Sequence, residues 1–343
     1  MLCKNPFMKD GIALGCGQCL PCRINKRRIW ATRLALEAQT HEDMSFITLT
    51  YTDENLYNFD NGTVVPESGL PQLNPDHVQK FLKKIRKAVS PKKLRFFLVG
   101  EYGTQTWRPH YHILLFGYPS CRYGQPRIKN VRRSLNKHGE DWYKLNQCEC
   151  KSCQLVQSKW QYGFTQNEVP VSDKNIANYV CGYVTKKITN ANNEEVQKIL
   201  DGRYPEFSRM SNRKGIGYNA LEPIAEVLQT PIGKEQLEEE GDVPHQIMLG
   251  DKIVPLGGYL REKLREKVYT EEEILQIKEE RLQKLQEEAI QEAWKDHESG
   301  EFNYLREKKG GSYDQKDIIL EKNKQKSNNL IKKFNRYNKG GQL

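Results

Sequence analysis

Alternating apolar and polar residues predict a set of short strands in the first half of the chain. Residues 46–51 alternate apolar with hydroxylated side chains, a pattern typical of a strand with one polar face. Residues 95–99 and 111–116 are predicted to form the two arms of a hairpin, because a short loop containing glycine and proline joins them. A further strand is predicted over residues 162–169.

Apolar residues at helical spacing predict helices between and after these strands. The predicted helices cover residues 23–42, 74–89, 172–188, 218–229 and 270–295. Asn74 is the expected cap of the second helix, and Thr270 with Glu273 forms a capping box at the start of the last one. The turn-rich residues 118–159 are predicted to be an inserted loop, and the acidic residues 233–242 an exposed connector.

Composition narrows the class of protein. The 343 residues contain 54 Lys and Arg against 44 Asp and Glu, a net charge of +10 that favours an anionic partner such as nucleic acid. The lack of any run of about 18 apolar residues argues against an integral membrane protein. Nine cysteines, an odd number, and no apolar signal segment at the N-terminus favour a reducing cytosol. In that compartment clustered thiols indicate a metal site or free thiols rather than disulfides.

Two histidines lie two residues apart on the predicted strand 111–116 and its approach. Side chains alternate along a strand, so His110 and His112 point to one face and Tyr111 to the other. Two imidazoles on one face can hold a divalent cation. Glu101, on the preceding arm, supplies the oxygen ligand that Mg²⁺ or Mn²⁺ prefers if the hairpin register places it opposite. Alone, such a pair is more often two partly buried, hydrogen-bonded histidines.

Two tyrosines lie one turn apart on the predicted helix 172–188. The hydroxyls of Tyr179 and Tyr183 project from one helical face, and Lys186 and Lys187 follow. A tyrosine hydroxyl can attack phosphorus and become esterified to DNA when a metal and a positive charge assist. Alone, this pattern is more typical of an amphipathic helix whose tyrosines pack on a sheet.

Taken together and in this order, these elements resemble a known family. The strand 46–51, Glu101, the His110–Tyr111–His112 triplet and the paired tyrosines with their lysines resemble the signature of HUH endonucleases, the rolling-circle replication initiators. The paired tyrosines are typical of the two-tyrosine branch of that family. The cysteine-rich run 16–23, Trp30 and the segment 160–164 are most similar to the initiators of gokushoviruses, bacteriophages of the Microviridae. The resemblance covers residues 16–187, and Tyr111 departs from it by placing an aromatic ring where an aliphatic residue is usual.

The resemblance implies an α+β fold with a mainly antiparallel sheet, helices packed on it, and a helical C-terminal region. The endonuclease domain is expected to span residues 1–230, with an N-terminal cysteine-rich segment and the insertion 118–159. Residues 231–343 are expected to form a charged helical region and tail.

The resemblance also implies a chemistry. His110, His112 and Glu101 would hold one Mg²⁺ or Mn²⁺, and Tyr179 or Tyr183 would attack the phosphodiester to give a 5′-phosphotyrosine and a free 3′-hydroxyl. Lys186 or Lys187 would stabilise the developing charge or lower the pKa of the attacking tyrosine. The residues expected to contact DNA are Thr48, Thr50, Trp107 and Arg108.

The implied partners follow from that activity. The substrate would be single-stranded DNA at a replication origin, in the cytoplasm of an infected bacterial host. The sequence has no phosphate-binding loop of the G-x4-GK[ST] type, so unwinding would require a host helicase, and a host polymerase would extend the 3′-hydroxyl. No membrane partner is expected.

Two groups of cysteines leave a further question open. Each group offers three sulfurs, namely Cys16, Cys19 and Cys22, and Cys148, Cys150 and Cys153. Zinc needs a fourth ligand, either Cys3 or a sulfur from the other group, and free cytosolic thiols are the alternative. Two other functions also fit parts of the pattern: a non-catalytic zinc-containing DNA-binding protein, and a single-tyrosine transposase or relaxase.

Overall fold

The computed structural model describes residues 3–10, 12–56, 69–103, 106–121, 148, 150–170, 194–298, 319–320, 324 and 328–332. The chain divides into two compact units, one of residues 30–220 and one of residues 1–29 with 221–343. In the part of the chain that is described, no helix is long and apolar enough to cross a membrane.

The strands and helices are numbered in chain order. The strands are β1 (Phe7–Lys9), β2 (Ile12–Leu14), β3 (Met44–Thr50), β4 (Arg95–Tyr102), β5 (Pro109–Phe116), β6 (Thr165–Glu168), β7 (Phe207–Met210), β8 (Gln246–Leu249) and β9 (Lys252–Pro255). The helices are α1 (Leu20–Gln39), α2 (Asp53–Leu56), α3 (Pro75–Ala88), α4 (Lys151–Lys159), α5 (Glu194–Leu200), α6 (Leu221–Leu228), α7 (Pro231–Glu240), α8 (Gly257–Val268) and α9 (Glu271–Glu298).

A five-stranded sheet forms the centre of the unit of residues 30–220. Its strand order is β6-β3-β5-β4-β7, and every neighbouring pair is antiparallel. The predicted α+β class with a mainly antiparallel sheet and a helical C-terminal region is therefore confirmed. The predicted hairpin is also confirmed, although β4 and β5 both extend further than the apolar pattern indicated, because their pairing continues to Tyr102 and Pro109.

Side chains of β5 enter a different hydrophobic core on each face of the sheet. On one face Tyr111, Ile113 and Leu115 pack in a cluster that includes buried residues of α3 and α4. On the other face Leu114 and Phe116 pack with Leu34 of α1. The central strand is thus buried on both sides, which holds it in a single register.

Helix α3 begins as its sequence predicts. The Asn74 side chain accepts hydrogen bonds from the backbone amides of Asp76 and His77 and so caps the helix. Its apolar stripe is buried against the sheet and consists of Val78, Phe81, Leu82 and Ile85.

Two predictions about irregular segments are wrong. The segment 233–242 is not an exposed connector, since α7 occupies Pro231–Glu240 and Asp242 is buried. Thr230 caps this helix through its side-chain oxygen, and Gly241 ends it in a left-handed conformation. The predicted inserted loop 118–159 is too long at its end, because α4 forms there and buries Cys153 and Val156.

Asp242 joins the elements of the second unit. Its carboxylate accepts hydrogen bonds from Arg261 and Arg265 of α8 and from Arg281 of α9, the last at 3.0 Å. Burial alone would raise the pKa of Asp242, but the hydrogen bonds from Arg265 and the charges of both α8 arginines hold it below its usual value. The capping box predicted for α9 is confirmed, since Thr270 and Glu273 exchange backbone-to-side-chain hydrogen bonds.

Glu37 joins α1 to the sheet in a similar way. Its side chain is fully buried and accepts hydrogen bonds from Arg95 of β4 and from the Gly217 amide, the latter at 2.7 Å. Nε2 of His41 lies 3.1 Å from the same carboxylate. Burial alone would raise the pKa of Glu37, but these three partners together hold it below its usual value.

We expect the Glu37→Gln variant to lower the free energy of unfolding by about 3 kcal/mol at neutral pH, because it leaves the buried Arg95 without its counter-charge. Since the pKa is lowered in the folded state, this stabilisation exists above the ordinary pKa of the carboxyl and is lost as the pH falls through the lowered value. Urea unfolding of the variant should therefore depend less on pH between neutrality and about pH 4. Exposed Glu42 supplies the control variant Glu42→Gln. Equal stability of the two variants would contradict this role of Glu37.

Candidate functional site

The register of three strands brings five polar side chains to one face of the sheet. On β5, His110 pairs with Thr50 of β3 and with Glu101 of β4. His112 pairs with Thr48 of β3. Residues directly opposite each other on antiparallel strands share a face, and residues two apart on one strand do the same. Both histidines, Glu101 and both threonines therefore line the same end of the sheet.

The imidazole of His112 is held on every side. Oγ1 of Thr48 lies 3.1 Å from Nδ1, and Oε1 of Glu101 lies 3.1 Å from Nε2. The ring of Phe46 stacks on the imidazole, with centroids 5.6 Å apart and planes 8° from parallel. His112 and Glu101 are 8% and 6% exposed, so their contact is shielded from bulk water. A histidine fixed in this way presents one ring nitrogen in a constant direction.

His110 lies beside this pair at the edge of the site. It is half-buried, and its ring centroid lies 6.4 Å from that of His112. A Cβ atom at Gly103 would come within 3.2 Å of Nε2 of His110, so the glycine leaves the space next to the imidazole open. The buried hydroxyl of Thr50, opposite His110, has no hydrogen-bond partner among the described residues.

The donor set fits a hard divalent cation in its chemistry. Two imidazole nitrogens and a carboxylate oxygen on one face are ligands that Mn²⁺ and Mg²⁺ accept, and the open space at Gly103 leaves room near them. The three groups are less converged than a closed metal centre. Within the described ranges, the groups of three or more metal-ligating side chains whose donor atoms all lie within 4.8 Å are both cysteine clusters.

Tyr111 anchors the strand from the opposite face. It is fully buried, and its hydroxyl accepts a hydrogen bond from the Asn74 amide at 2.7 Å and donates one to the Asn74 carbonyl at 3.0 Å. The hydroxyl of Tyr51 lies 2.8 Å away and also contacts Nδ1 of His77 at 3.0 Å. Burial raises the pKa of Tyr111 and keeps it a neutral hydroxyl. The aromatic residue between the histidines thus ties β5 to the cap of α3, which an aliphatic residue cannot do.

Trp107 and Arg108, expected to contact DNA, already have partners within the fold. Arg108 donates to the Tyr51 carbonyl at 2.8 Å and also pairs with Asp53. Trp107 has a positive φ of 54° and is 36% exposed, and the Arg203 guanidinium lies 4.6 Å from its ring centroid. Arg203 was missed by the sequence reasoning, because it lies almost a hundred residues further along the chain and outside every recognised motif.

Tyr179, Tyr183, Lys186 and Lys187 lie outside the described residues, as does the whole predicted helix 172–188. Their positions relative to the histidine face stay a prediction.

The cysteines assemble into two groups of four. Cys3 joins Cys16, Cys19 and Cys22, and Cys121 joins Cys148, Cys150 and Cys153. The sequence left the fourth member of the first group open between Cys3 and the other group, and the structure places Cys3 there. Cys121 was missed because it lies 27 residues before Cys148. Its position at the other end of the turn-rich segment was the signal that pairs it with the second group.

The comparisons with known proteins agree with this geometry. The model of the replication-associated protein ORF2 family matches residues 44–188, a segment that contains β3 to β6 with both histidines and Glu101. The chain is related to phage replication-associated proteins. The resemblance to a phage replication initiator that the motifs predicted is thereby confirmed.

Three relatives illustrate this. The chain is 29% identical over 221 residues to the replication-associated protein ORF2 of Spiroplasma virus 4, covering 62% of this chain and 58% of that protein. It is 27% identical over 219 residues to the replication-associated protein VP4 of Bdellovibrio phage phiMH2K, covering 62% and 59%. It is 29% identical over 179 residues to the replication-associated protein ORF4 of Chlamydia phage 1, covering 51% and 38%. The matches thus span less than two thirds of each relative's length, and no solved structure matches the chain.

We expect Tyr111→Phe to lower the free energy of unfolding by about 1–3 kcal/mol, because the buried Asn74 amide loses its acceptor. Urea unfolding measures the change. Tyr204→Phe, which alters a tyrosine that is 37% exposed, is the matched control and should be nearly neutral. If both variants unfold at the same urea concentration, the proposed anchoring of β5 is wrong.

Proposed function

We propose that this protein is a metal-dependent endonuclease and strand transferase that nicks and rejoins single-stranded DNA at a phage replication origin. This activity would drive rolling-circle replication. The observation that carries the proposal is the alignment of His110, His112 and Glu101 on one sheet face, with the His112–Glu101 contact at 3.1 Å. The relationship to phage replication-associated proteins supports the same conclusion.

His110, His112 and Glu101 are the residues that would hold Mg²⁺ or Mn²⁺. When bound, such an ion draws charge from a non-bridging oxygen of the scissile phosphate. Thr48 has a positioning role: its hydroxyl at Nδ1 of His112 leaves Nε2 directed toward Glu101.

The covalent step belongs to the paired tyrosines. The hydroxyl oxygen of Tyr179 or Tyr183 forms a bond to phosphorus, and the bond from phosphorus to the 3′-oxygen breaks. The products are a 5′-phosphotyrosine and a 3′-hydroxyl, which gains the proton that the tyrosine loses. Lys186 or Lys187 would stabilise the charge that develops on the phosphate.

The second tyrosine would complete the cycle. After one round of synthesis it cleaves the regenerated origin, and the new 3′-hydroxyl attacks the first phosphotyrosine to restore a phosphodiester. The ester preserves the energy of the broken bond, so rejoining requires no nucleotide triphosphate. A host helicase would unwind the duplex and a host polymerase would extend the 3′-hydroxyl, in the cytoplasm of the infected bacterium.

The DNA strand would approach along the same end of the sheet. The exposed part of the Trp107 ring offers a surface on which an unpaired base can stack, and Arg203 adds a positive charge beside it. The Thr50 hydroxyl is available to a phosphate oxygen next to His110.

The deciding experiment uses 3′-end-labelled single-stranded oligonucleotides that together cover the viral strand, incubated with the full chain and Mn²⁺. We expect the label of the origin-containing oligonucleotide to become covalently attached to the protein. The Tyr179→Phe/Tyr183→Phe double variant should form no adduct, EDTA should prevent nicking, and His112→Ala should lower the rate by more than about 100-fold. Tyr204→Phe is the control that keeps the adduct.

The outcomes separate this proposal from its rivals. An adduct that persists in the double tyrosine variant would sink the tyrosine assignment, and one that forms equally well in EDTA would sink the metal assignment. DNA binding without any adduct, measured by fluorescence anisotropy, would favour a non-catalytic zinc-containing DNA-binding protein. If one single tyrosine variant still completes repeated rounds of cleavage, a single-tyrosine transposase or relaxase is favoured.

Thr48→Val tests the positioning role directly. Loss of the hydroxyl at Nδ1 of His112 should raise the Mn²⁺ concentration for half-maximal adduct formation by about 10-fold, with little change in the maximum rate. Thr165→Val is the matched control, since Thr165 pairs with Leu49 on the opposite face of the sheet. An unchanged Mn²⁺ dependence in Thr48→Val would exclude this role for Thr48.

A further inference from the structure

Each cysteine cluster brings four sulfur atoms to one point. The sulfurs of Cys3 and Cys19 are 3.7 Å apart, those of Cys121 and Cys148 are 3.5 Å apart, and all separations within each cluster are below 4.8 Å. A disulfide would require about 2.05 Å, so these sulfurs are not bonded to one another. Four thiols gathered this closely call for a common ligand.

A single tetrahedral zinc ion fits these separations. With zinc–sulfur bonds of about 2.3 Å, the sulfurs of a tetrahedral site lie about 3.8 Å apart. The observed 3.7 Å and 3.5 Å are close to that value. An iron–sulfur cluster places several iron and sulfide atoms between its cysteine sulfurs and so holds them further apart than a single ion does.

The two clusters are built in the same way although they lie in different units of the chain. In each, a Cys-x2-Cys pair spans the start of a helix: Cys19 directly precedes α1 and Cys22 lies in its first turn, while Cys150 directly precedes α4 and Cys153 lies in its first turn. The positive end of a helix favours thiolate over thiol. The fourth sulfur comes from a residue well upstream in both cases.

Backbone amides add to the first cluster. The amides of Asn5 and Cys16 donate to the sulfur of Cys3 at 3.3 and 3.2 Å, and the Lys4 amide donates to that of Cys19 at 3.4 Å. The amide of Cys19 donates in turn to the sulfur of Cys16 at 3.3 Å. Donors directed at sulfur stabilise negative charge there, as a tetrathiolate site requires.

We propose that the chain binds two zinc ions, one at Cys3, Cys16, Cys19 and Cys22 and one at Cys121, Cys148, Cys150 and Cys153. Four protein ligands close the coordination shell and leave no position for water or substrate, so both sites are structural. This inference is independent of the proposed nuclease activity.

Each ion fastens a distant stretch of chain to the start of a helix. The first links Cys3, ahead of β1, and Cys16, after β2, to the beginning of α1. The second links the chain beyond β5 to the beginning of α4. There Tyr118 also donates to the Ser152 carbonyl at 2.7 Å, and Ser152 donates to that of Ser120 at 3.0 Å. The second ion thereby holds together the two ends of the 26-residue stretch between Cys121 and Cys148.

The test is the metal content of the purified full chain, free of any affinity tag, by inductively coupled plasma mass spectrometry. We expect two zinc ions per chain, and two released when a mercurial reagent titrates the thiols. Cys3→Ser and Cys121→Ser should each retain one ion. Cys181→Ser, which alters the ninth cysteine, and His110→Ala/His112→Ala, which alters the candidate nuclease site, should each retain two.

The release measurement keeps the test decisive if a variant fails to fold, because it uses the unaltered chain. Replacement of zinc by cobalt in that chain should give the thiolate-to-cobalt absorption of tetrathiolate sites. Zinc below two per chain, iron in its place, or zinc lost from the histidine variant instead of the cysteine variants would overturn the proposal.

Discussion

The alternation of side chains along β5 is the constraint on which the candidate site depends. Tyr111, Ile113 and Leu115 must enter one core while Leu114 and Phe116 enter the other. His110 and His112 continue the second row beyond the part that α1 covers, so polar ligands stand at the edge of an apolar face. A slip of one residue in the register would exchange the two rows and bury the histidines. The packing of the strand therefore determines where the chemistry can occur.

Support for the histidines comes from both faces. On their own face, Phe46, Thr48 and Glu101 hold the imidazole of His112. On the other, the Tyr111 hydroxyl joins β5 to the backbone of Asn74, which is itself the cap of α3. A candidate ligand on a central strand with a fully bonded reverse face is held more precisely than one on a loop.

Local signals in the sequence predicted those parts of the molecule that depend on neighbouring residues. They located the hairpin, the Asn74 cap and the capping box of α9, and they placed both histidines on one face. They failed where the cause is distant: Asp242 is buried because arginines of two later helices surround it, and Cys121 joins a cluster far along the chain. Acidic composition concealed α7 although Thr230, Pro231 and Gly241 mark its ends. The roles of Tyr179 and Tyr183 rest on sequence alone.

One measurement tests the central claim most directly: mass-spectrometric mapping of the peptide that remains linked to DNA after cleavage of an origin-containing single strand. The account predicts a nucleotide attached through a 5′-phosphate to Tyr179 or Tyr183 within a single proteolytic peptide. A nucleotide on any other residue, or nicked DNA without a linked peptide, would contradict it.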